Sequence, residues 1–329
     1  VSQIVSSVAL DLPAHPPRQR RLLGPALLFV ALALVPLAAR LGTESYVLSL
    51  MTRVVALALA ALSLDLLIGI GGLVSFGHAA FVGIGAYAVA ILASEGITDG
   101  FVQIAVALGC AAAFALVTGI IALRTQGVFF IMITLAFGQM LYFLFTALAG
   151  YGGDDGMALA QRSRILGRDL LAGDTALYLV SLGMLLAVYL LLRAVIASRF
   201  GRVLAGAREN EIRMESIGFE PFRYRLVAYV LSGMIAAIAG CLLANQTAFI
   251  SPASMAWQRS GDLIFMVVLG GLGSLHGAII GAVVYVLSEE ILAGFTEHWR
   301  ILFGPLLILV VLFARGGLTG LLAPRGARP

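Results

Sequence analysis

The stretch "FVQIAVALGCAAAFALVTGIIAL" (Phe101–Leu123) runs for 23 residues without a charge. A helix rises about 1.5 Å per residue, so this run covers the roughly 30 Å of hydrocarbon in a bilayer. Apolar runs recur at Leu22–Ala39, Tyr46–Gly69, His78–Ser94, Phe129–Ala149, Ala176–Ile196, Leu226–Gln246, Gly277–Leu292 and Ile301–Ala314. Asp262–Gly270 is too short to cross alone and reads as half of a broken helix continuing beyond Gly270, so nine and ten crossings both fit. The pattern predicts an all-α polytopic membrane protein of about ten transmembrane helices. Its domains are a tail at 1–21, a membrane region at 22–314 and a tail at 315–329.

Composition excludes the two soluble domains that 329 residues would otherwise suggest. Hydrophobic residues make up 61% and charged ones 12%, and mean hydropathy is +1.03. All 21 basic residues are arginine. A phosphate-binding P-loop needs a lysine, so ATP-driven work would require a separate polypeptide to hydrolyse the nucleotide. The net charge of +4 marks topology rather than nucleic-acid binding. With ten crossings and the N-terminus inside, fourteen arginines fall on the inner side, six on the outer side, and Arg53 within a span. That bias obeys the positive-inside rule and places both termini in the cytoplasm. The polar start Val1–Arg21 and the apolar segment after it partly resemble a signal sequence, but the many following spans favour an uncleaved first helix. Cys110 and Cys241 stand alone in apolar runs and read as buried small hydrophobes.

Two hydrophilic connections interrupt the spans. Residues 150–175 carry Asp154, Asp155, Asp169 and Asp174 and face outward; residues 198–225 carry six arginines and four glutamates and face the cytoplasm. Within the second, Ala205–Gly218 predicts one short surface helix closed by Gly218. Its crowded charges keep it out of lipid, and its few apolar positions, Ile212 and Met214–Ile217, suit a groove on a cytoplasmic partner. An ordinary solvated loop is the plainer reading of those charges.

Glycine patterns mark candidate packing and path segments. Gly273, Gly277 and Gly281 recur every four residues, as do Ala236, Gly240 and Ala244, and such smooth stripes let helices approach closely. "GGLVSFGHAAFVG" (Gly71–Gly83) and "GGLGSLHGAIIG" (Gly270–Gly281) resemble each other, as relics of an internal duplication would. Irregular backbone at membrane depth survives only beside protein or water. Gly71, Gly72, Ser75, Gly77 and His78, with Gly271, Gly273, Ser274 and His276, are therefore candidate path residues. A hydrogen-bonded packing role is the alternative for both histidines. Gln139, Tyr142 and Thr146 form one polar stripe that either lines a path or bonds a neighbouring helix. Arg53 and Asp65 are the costly charges of the second span. Twelve residues apart, they lie about 120° around and roughly 18 Å along a helix, and cannot pair.

"SRFGRVLAGARENEIRMESIGFEPFRYRLVAYVLSGMIAAIAGCLLA" (Ser198–Ala244) resembles the coupling region of bacterial branched-chain amino-acid ABC importer permeases. "LDLLIGIGGLVSFGHAAFVGIGAYAVAIL" (Leu64–Leu92), "LRTQGVFFIMITLAFGQM" (Leu123–Met140) with "GYGGDDGM" (Gly150–Met157), and "MVVLGGLGSLHGAIIGA" (Met266–Ala282) follow in the family's order. The long N-terminal lead and the Gly-Gly-Asp loop resemble the larger permease subunit, the LivM type. The resemblance implies an ABC importer permease fold in a bacterial inner membrane. It implies a second homologous permease subunit, two cytoplasmic ATPases that use ATP and Mg, and an extracytoplasmic binding protein, with no cofactor bound by this chain. The family's coupling helix maps onto Arg208, Glu209, Asn210, Glu211, Ile212, Glu215, Ile217 and Gly218. The general Glu-Ala-Ala…Gly signature is matched loosely: Glu211 precedes Gly218 by seven positions, without the alanines.

No His-Glu-x-x-His zinc spacing, acid/base pair or nucleophile elbow points to an enzyme. Two other transport readings remain. Urea or short-chain amide importers share similar blocks. An ion-coupled secondary transporter needs intramembrane carboxylates, and here Asp65, Asp262 and Glu289–Glu290 lie toward span ends.

Overall fold

The computed structural model describes residues 20–39, 44–164, 167–169, 171–296, 298–313 and 316–322. Residues 1–19 and 323–329 of the expected tails, with Arg40 and Arg315, lie outside the described residues. The order is α1 (Arg20–Ala39), α2 (Glu44–Asp65), α3 (His78–Ser94), α4 (Gly100–Ala122), α5 (Val128–Ala147), β1 (Met157–Ala158), α6 (Asp174–Ala197), α7 (Arg199–Glu209) and α8 (Glu211–Ser216). There follow α9 (Pro221–Thr247), β2 (Phe249–Ile250), α10 (Trp257–Gly270), α11 (Leu275–Ala293), α12 (Trp299–Phe313) and α13 (Gly317–Leu322). Among the described residues, six helices are long and apolar enough to cross a membrane: α2 with its continuation to Ile70, α4, α5, α6, α9 and α11. Shorter apolar helices cover Gly24–Ala39 and His78–Ser94.

Burial sorts these helices into an inner and an outer layer. In α2, 83% of the most apolar window is buried and in α9 61%, against 22–28% in α4, α5 and α6. The outer helices expose Leu116, Val117, Phe129, Met132, Phe143 and Leu190, side chains that water would not cover cheaply. On α4 the buried stripe is Gln103, Ala107, Ala111, Ala115 and Ala122. Cys110 falls off that stripe and is exposed, contrary to the expected burial, whereas Cys241 is buried. Small residues allow the inner crossing. A Cβ on Gly85 would strike the Ala237 carbonyl and one on Gly240 the Val82 carbonyl, so α3 and α9 touch backbone to backbone. Ala236 and Ala244 are buried in the same contact region.

The expected broken helix at Asp262–Gly270 is corrected. It is the second half of α10, which ends at Gly270 and reverses through Gly271 (φ 112°) and Gly273 (φ 77°) into α11. These left-handed backbone angles favour glycine. Gly273 therefore precedes the helix instead of lying on its stripe. Gly277 faces the Gly270 backbone and Gly281 the Met266 carbonyl, which holds α10 and α11 as a tight antiparallel pair.

The connections gather at two ends of the bundle. At one end, residues of 69–72, 126, 208–211 and 273 touch one another. At the other, Met157–Ala158 pairs antiparallel with Phe249–Ile250, Ser163 donates its amide to Asn245 at 2.7 Å, and Arg162 bridges to Asp174 at 2.8 Å. Substituting Gly240→Leu should destabilise the bundle by about 2 kcal/mol or more through overpacking at a backbone contact. Gly109→Leu and Gly183→Leu, where a Cβ meets open space, should leave thermal unfolding in detergent nearly unchanged.

Candidate functional site

The 198–225 connection folds as two helices, not one. α7 buries Gly201, Val203, Leu204 and Ala207, and the chain then extends at Asn210 (φ −158°, ψ 102°). Asn210 accepts from the Arg213 amide at 2.9 Å and caps α8. Asparagine satisfies a first-turn amide better than it continues a helix, which is why the expected Ala205–Gly218 helix breaks there. Gly218 closes α8 at φ 87°, as expected.

Glu211 anchors α8 to the bundle. Its carboxylate receives Arg225 at 2.8 Å and Gln126 at 2.7 Å, and Arg225 also donates to the Ala207 carbonyl at 3.1 Å. Glu209 and Glu215 are exposed. Ile212 is 77% and Ile217 63% exposed, so two apolar side chains stand out from an anchored, charged helix. Beside them a cleft of about 390 Å³ is lined by Phe200, Gly218, Phe219 and Tyr224, among others.

Arg208 joins this surface to the interior. α2 ends in a π turn, Leu66–Ile70, and the Arg208 guanidinium donates to the Gly69 carbonyl in that turn. Gly72 (φ 70°) lies beneath the arginine stem, where a Cβ would come within 2.8 Å of Arg208 Cγ. One turn earlier, Asp65 accepts from the Gly273 amide at 2.7 Å. The two glycine-rich segments thus meet each other, and Arg208 clasps one of them. As expected, Asp65 does not pair with Arg53; it holds backbone.

The other expected path residues divide. Gly77 packs against Thr134 of α5, with Gly138 facing Gly77 Cα, and the Phe76 amide donates to Thr134 Oγ1 at 3.3 Å. Gly71 and Ser75 are buried. His78 is fully buried, with Nε2 2.8 Å from Ser63 Oγ and its ring edge-on to Phe81; this is the packing arrangement of the two considered. Gly271 abuts Gly316 and Thr319, and Ser274 Oγ donates to the Gly271 carbonyl at 3.0 Å. His276 is half-buried, as are Gln139 and Tyr142, and Thr146 donates to the Tyr142 carbonyl.

A cavity of about 230 Å³ lies elsewhere, between α2, α3, α9, α10 and α11, and none of the expected path residues lines it. Here Arg53 finds the partner that the sequence did not name, Glu289 at 2.8 Å. The signal available was the rule that an intramembrane cation requires a carboxylate, together with the few carboxylates near spans. Neighbouring Glu290 accepts from the Tyr46 hydroxyl.

Replacing Asp65 by Ala strands the Gly273 amide and should lower stability by about 1–3 kcal/mol. Asp65→Asn retains an acceptor oxygen and should retain most of it. Thermal unfolding of the two variants in detergent separates loss of the acceptor from loss of the charge.

The family profile described as "Branched-chain amino acid transport system / permease component" matches residues 46–311. The chain is 28% identical over 289 residues to the high-affinity branched-chain amino acid transport system permease protein LivM of Escherichia coli (strain K12), covering 80% of this chain and 68% of that protein. It is 29% identical over 292 residues to the LivM of Salmonella typhimurium strain LT2, with the same coverage of 80% and 68%. It is also 30% identical over 125 residues to the LivH permease protein of Escherichia coli (strain K12), covering 37% of this chain and 40% of that protein. No solved structure matches. With the profile spanning most of its length, the chain belongs to the branched-chain amino acid transport permease family.

Proposed function

We propose that this chain is the membrane-spanning subunit of an ATP-driven importer for branched-chain amino acids. It pairs with a second, homologous permease subunit, and two cytoplasmic ATPases hydrolyse ATP with Mg as their cofactor. An extracytoplasmic protein delivers the substrate to residues 150–175. The bundle crosses a bacterial inner membrane about ten times, nine if α10 does not cross by itself, with both termini and the α7–α8 pair in the cytoplasm. The arginine bias and the gathering of residues 69–72, 126, 208–211 and 273 at one end support this orientation.

The observation that carries the reading is the line of contacts from α8 inward. A partner pressing on Ile212 and Ile217 moves a helix fixed through Glu211 to α9, and the adjoining Arg208 grips the Gly69 turn. That turn touches Gly273 directly and shares Asp65 with it. Displacement of the surface helix therefore reaches both irregular segments without long-range elasticity. A corridor of this kind binds substrate weakly, and selection rests mainly with the delivering protein.

Because Ile212 and Ile217 are exposed, Ile212→Asp and Ile217→Asp should leave folding intact. In the reconstituted importer each should reduce ATP-dependent leucine uptake at least about tenfold, the effect of about 1.4 kcal/mol in coupling. Cysteines placed at these positions should cross-link to the ATPase subunit. Full uptake in both aspartate variants would refute the coupling role.

A further inference from the structure

The 230 Å³ cavity carries an unusual set of charges for a space within membrane helices. Arg53 meets Glu289 at 2.8 Å, and Arg259 meets Asp262 at 3.5 Å. Much of the remaining wall is apolar, including Leu57, Val82, Leu243, Leu263 and Met266. Both pairs are only partly buried, and ionisable groups that line a cavity among apolar helices mark candidate ligand or ion sites.

The charges balance, two of each sign. A ligand with net charge would leave one group uncompensated in a low-dielectric space, whereas a zwitterion would not. The two pairs are also unequal. Arg259 is half-exposed, and its one ion pair is a long contact within α10, so most of its five donors remain for a carboxylate. Only one oxygen of Asp262 and one of Glu289 enters the two pairs; Tyr285 also lies against Asp262, and the remaining lone pairs of the two carboxylates can receive an ammonium. The volume falls below the roughly 300–1,000 Å³ typical of pockets for drug-sized ligands. It suits a ligand the size of a single amino acid.

We propose that this cavity is a low-affinity holding site for one α-amino acid with a branched alkyl side chain. The ligand carboxylate sits on Arg259, its ammonium between Asp262 and Glu289, and its side chain against Leu57, Val82 and Leu263. The choice of ligand rests on the transport reading above. The site itself is separate from the glycine-rich segments. Residues 249–251, 253 and 254 border it and are tied by the β1–β2 pair to the 157–158 strand of the hydrophilic loop, the face where a substrate would be delivered.

The test uses the complete importer in vesicles, with Ser254→Cys in a Cys110→Ala background; Ser254 lines the cavity. Labelling by a water-soluble maleimide is followed in the nucleotide-free and vanadate-arrested states, with leucine uptake measured in parallel. Leucine should slow labelling, whereas leucinamide, lacking the carboxylate, and isocaproate, lacking the ammonium, should not. Arg259→Gln should raise the leucine concentration needed at least tenfold. A cysteine at Ser216, on exposed α8, should label equally with and without leucine. If leucine is taken up yet protects Ser254→Cys in neither state, the site is overturned and the transport reading stands. Protection without uptake upholds the site and removes the transport reading. Undiminished protection in Arg259→Gln overturns the carboxylate assignment.

Discussion

A backbone amide or carbonyl left unpaired away from water costs about 1–3 kcal/mol, and this bundle is interrupted by non-helical backbone at residues 71–77 and 271–274. Side chains from distant parts of the chain hold those interruptions and the turn that leads into the first; Thr134 accepts the Phe76 amide within it. Asp65 accepts the Gly273 amide, and Arg208 donates to the Gly69 carbonyl. Each supplies a charged partner where helical geometry supplies none. The segments stay irregular because they are satisfied from outside, and this makes them responsive to whatever moves Arg208.

The same economy of small residues shapes the rest of the bundle. Gly85 against Ala237, Gly240 against Val82, and Gly281 against Met266 bring backbones into contact, so dispersion and packing hold the inner helices where the hydrophobic effect between helices is weak. An aromatic group of Phe81, Phe114, Phe130 and Tyr229 fills the space beside α3 and α9. The outer helices α4, α5 and α6 contribute one buried stripe each and leave large apolar faces exposed. That asymmetry suits a subunit whose surface meets lipid on one side and another membrane chain on another.

Much of this was legible in the sequence because the signals are local. Hydropathy and length located the six long helices to within a few residues, and the glycine after Ile217 predicted the end of α8. What escaped depends on contacts far apart in the chain. Arg53 and Glu289 are 236 residues apart, and Asp65 and Gly273 are 208 apart; packing sets such pairings, and periodicity does not reveal them. The Asn210 break was a local signal outweighed by the helix-forming residues around it. Cys110 was misplaced because an all-apolar helix gives no indication of which face is buried. The cavity escaped for a related reason: its lining comes from five helices and the connection after α9, none of which carries a motif for it.

The linkage between surface helix and interior can be measured as a distance. Spin labels at Ser216 on α8, at Leu272 in the glycine turn and at Asp155 in the opposite loop all occupy exposed positions. Pulsed dipolar spectroscopy on the assembled importer would compare nucleotide-free and vanadate-arrested states. A rigid linkage predicts an unchanged Ser216–Leu272 distance while Ser216–Asp155 shifts by several ångströms, on the order of the roughly 5 Å of a helical turn. If Ser216–Leu272 changes as much as Ser216–Asp155, the surface helix moves independently of the glycine-rich segments, which contradicts the mechanism.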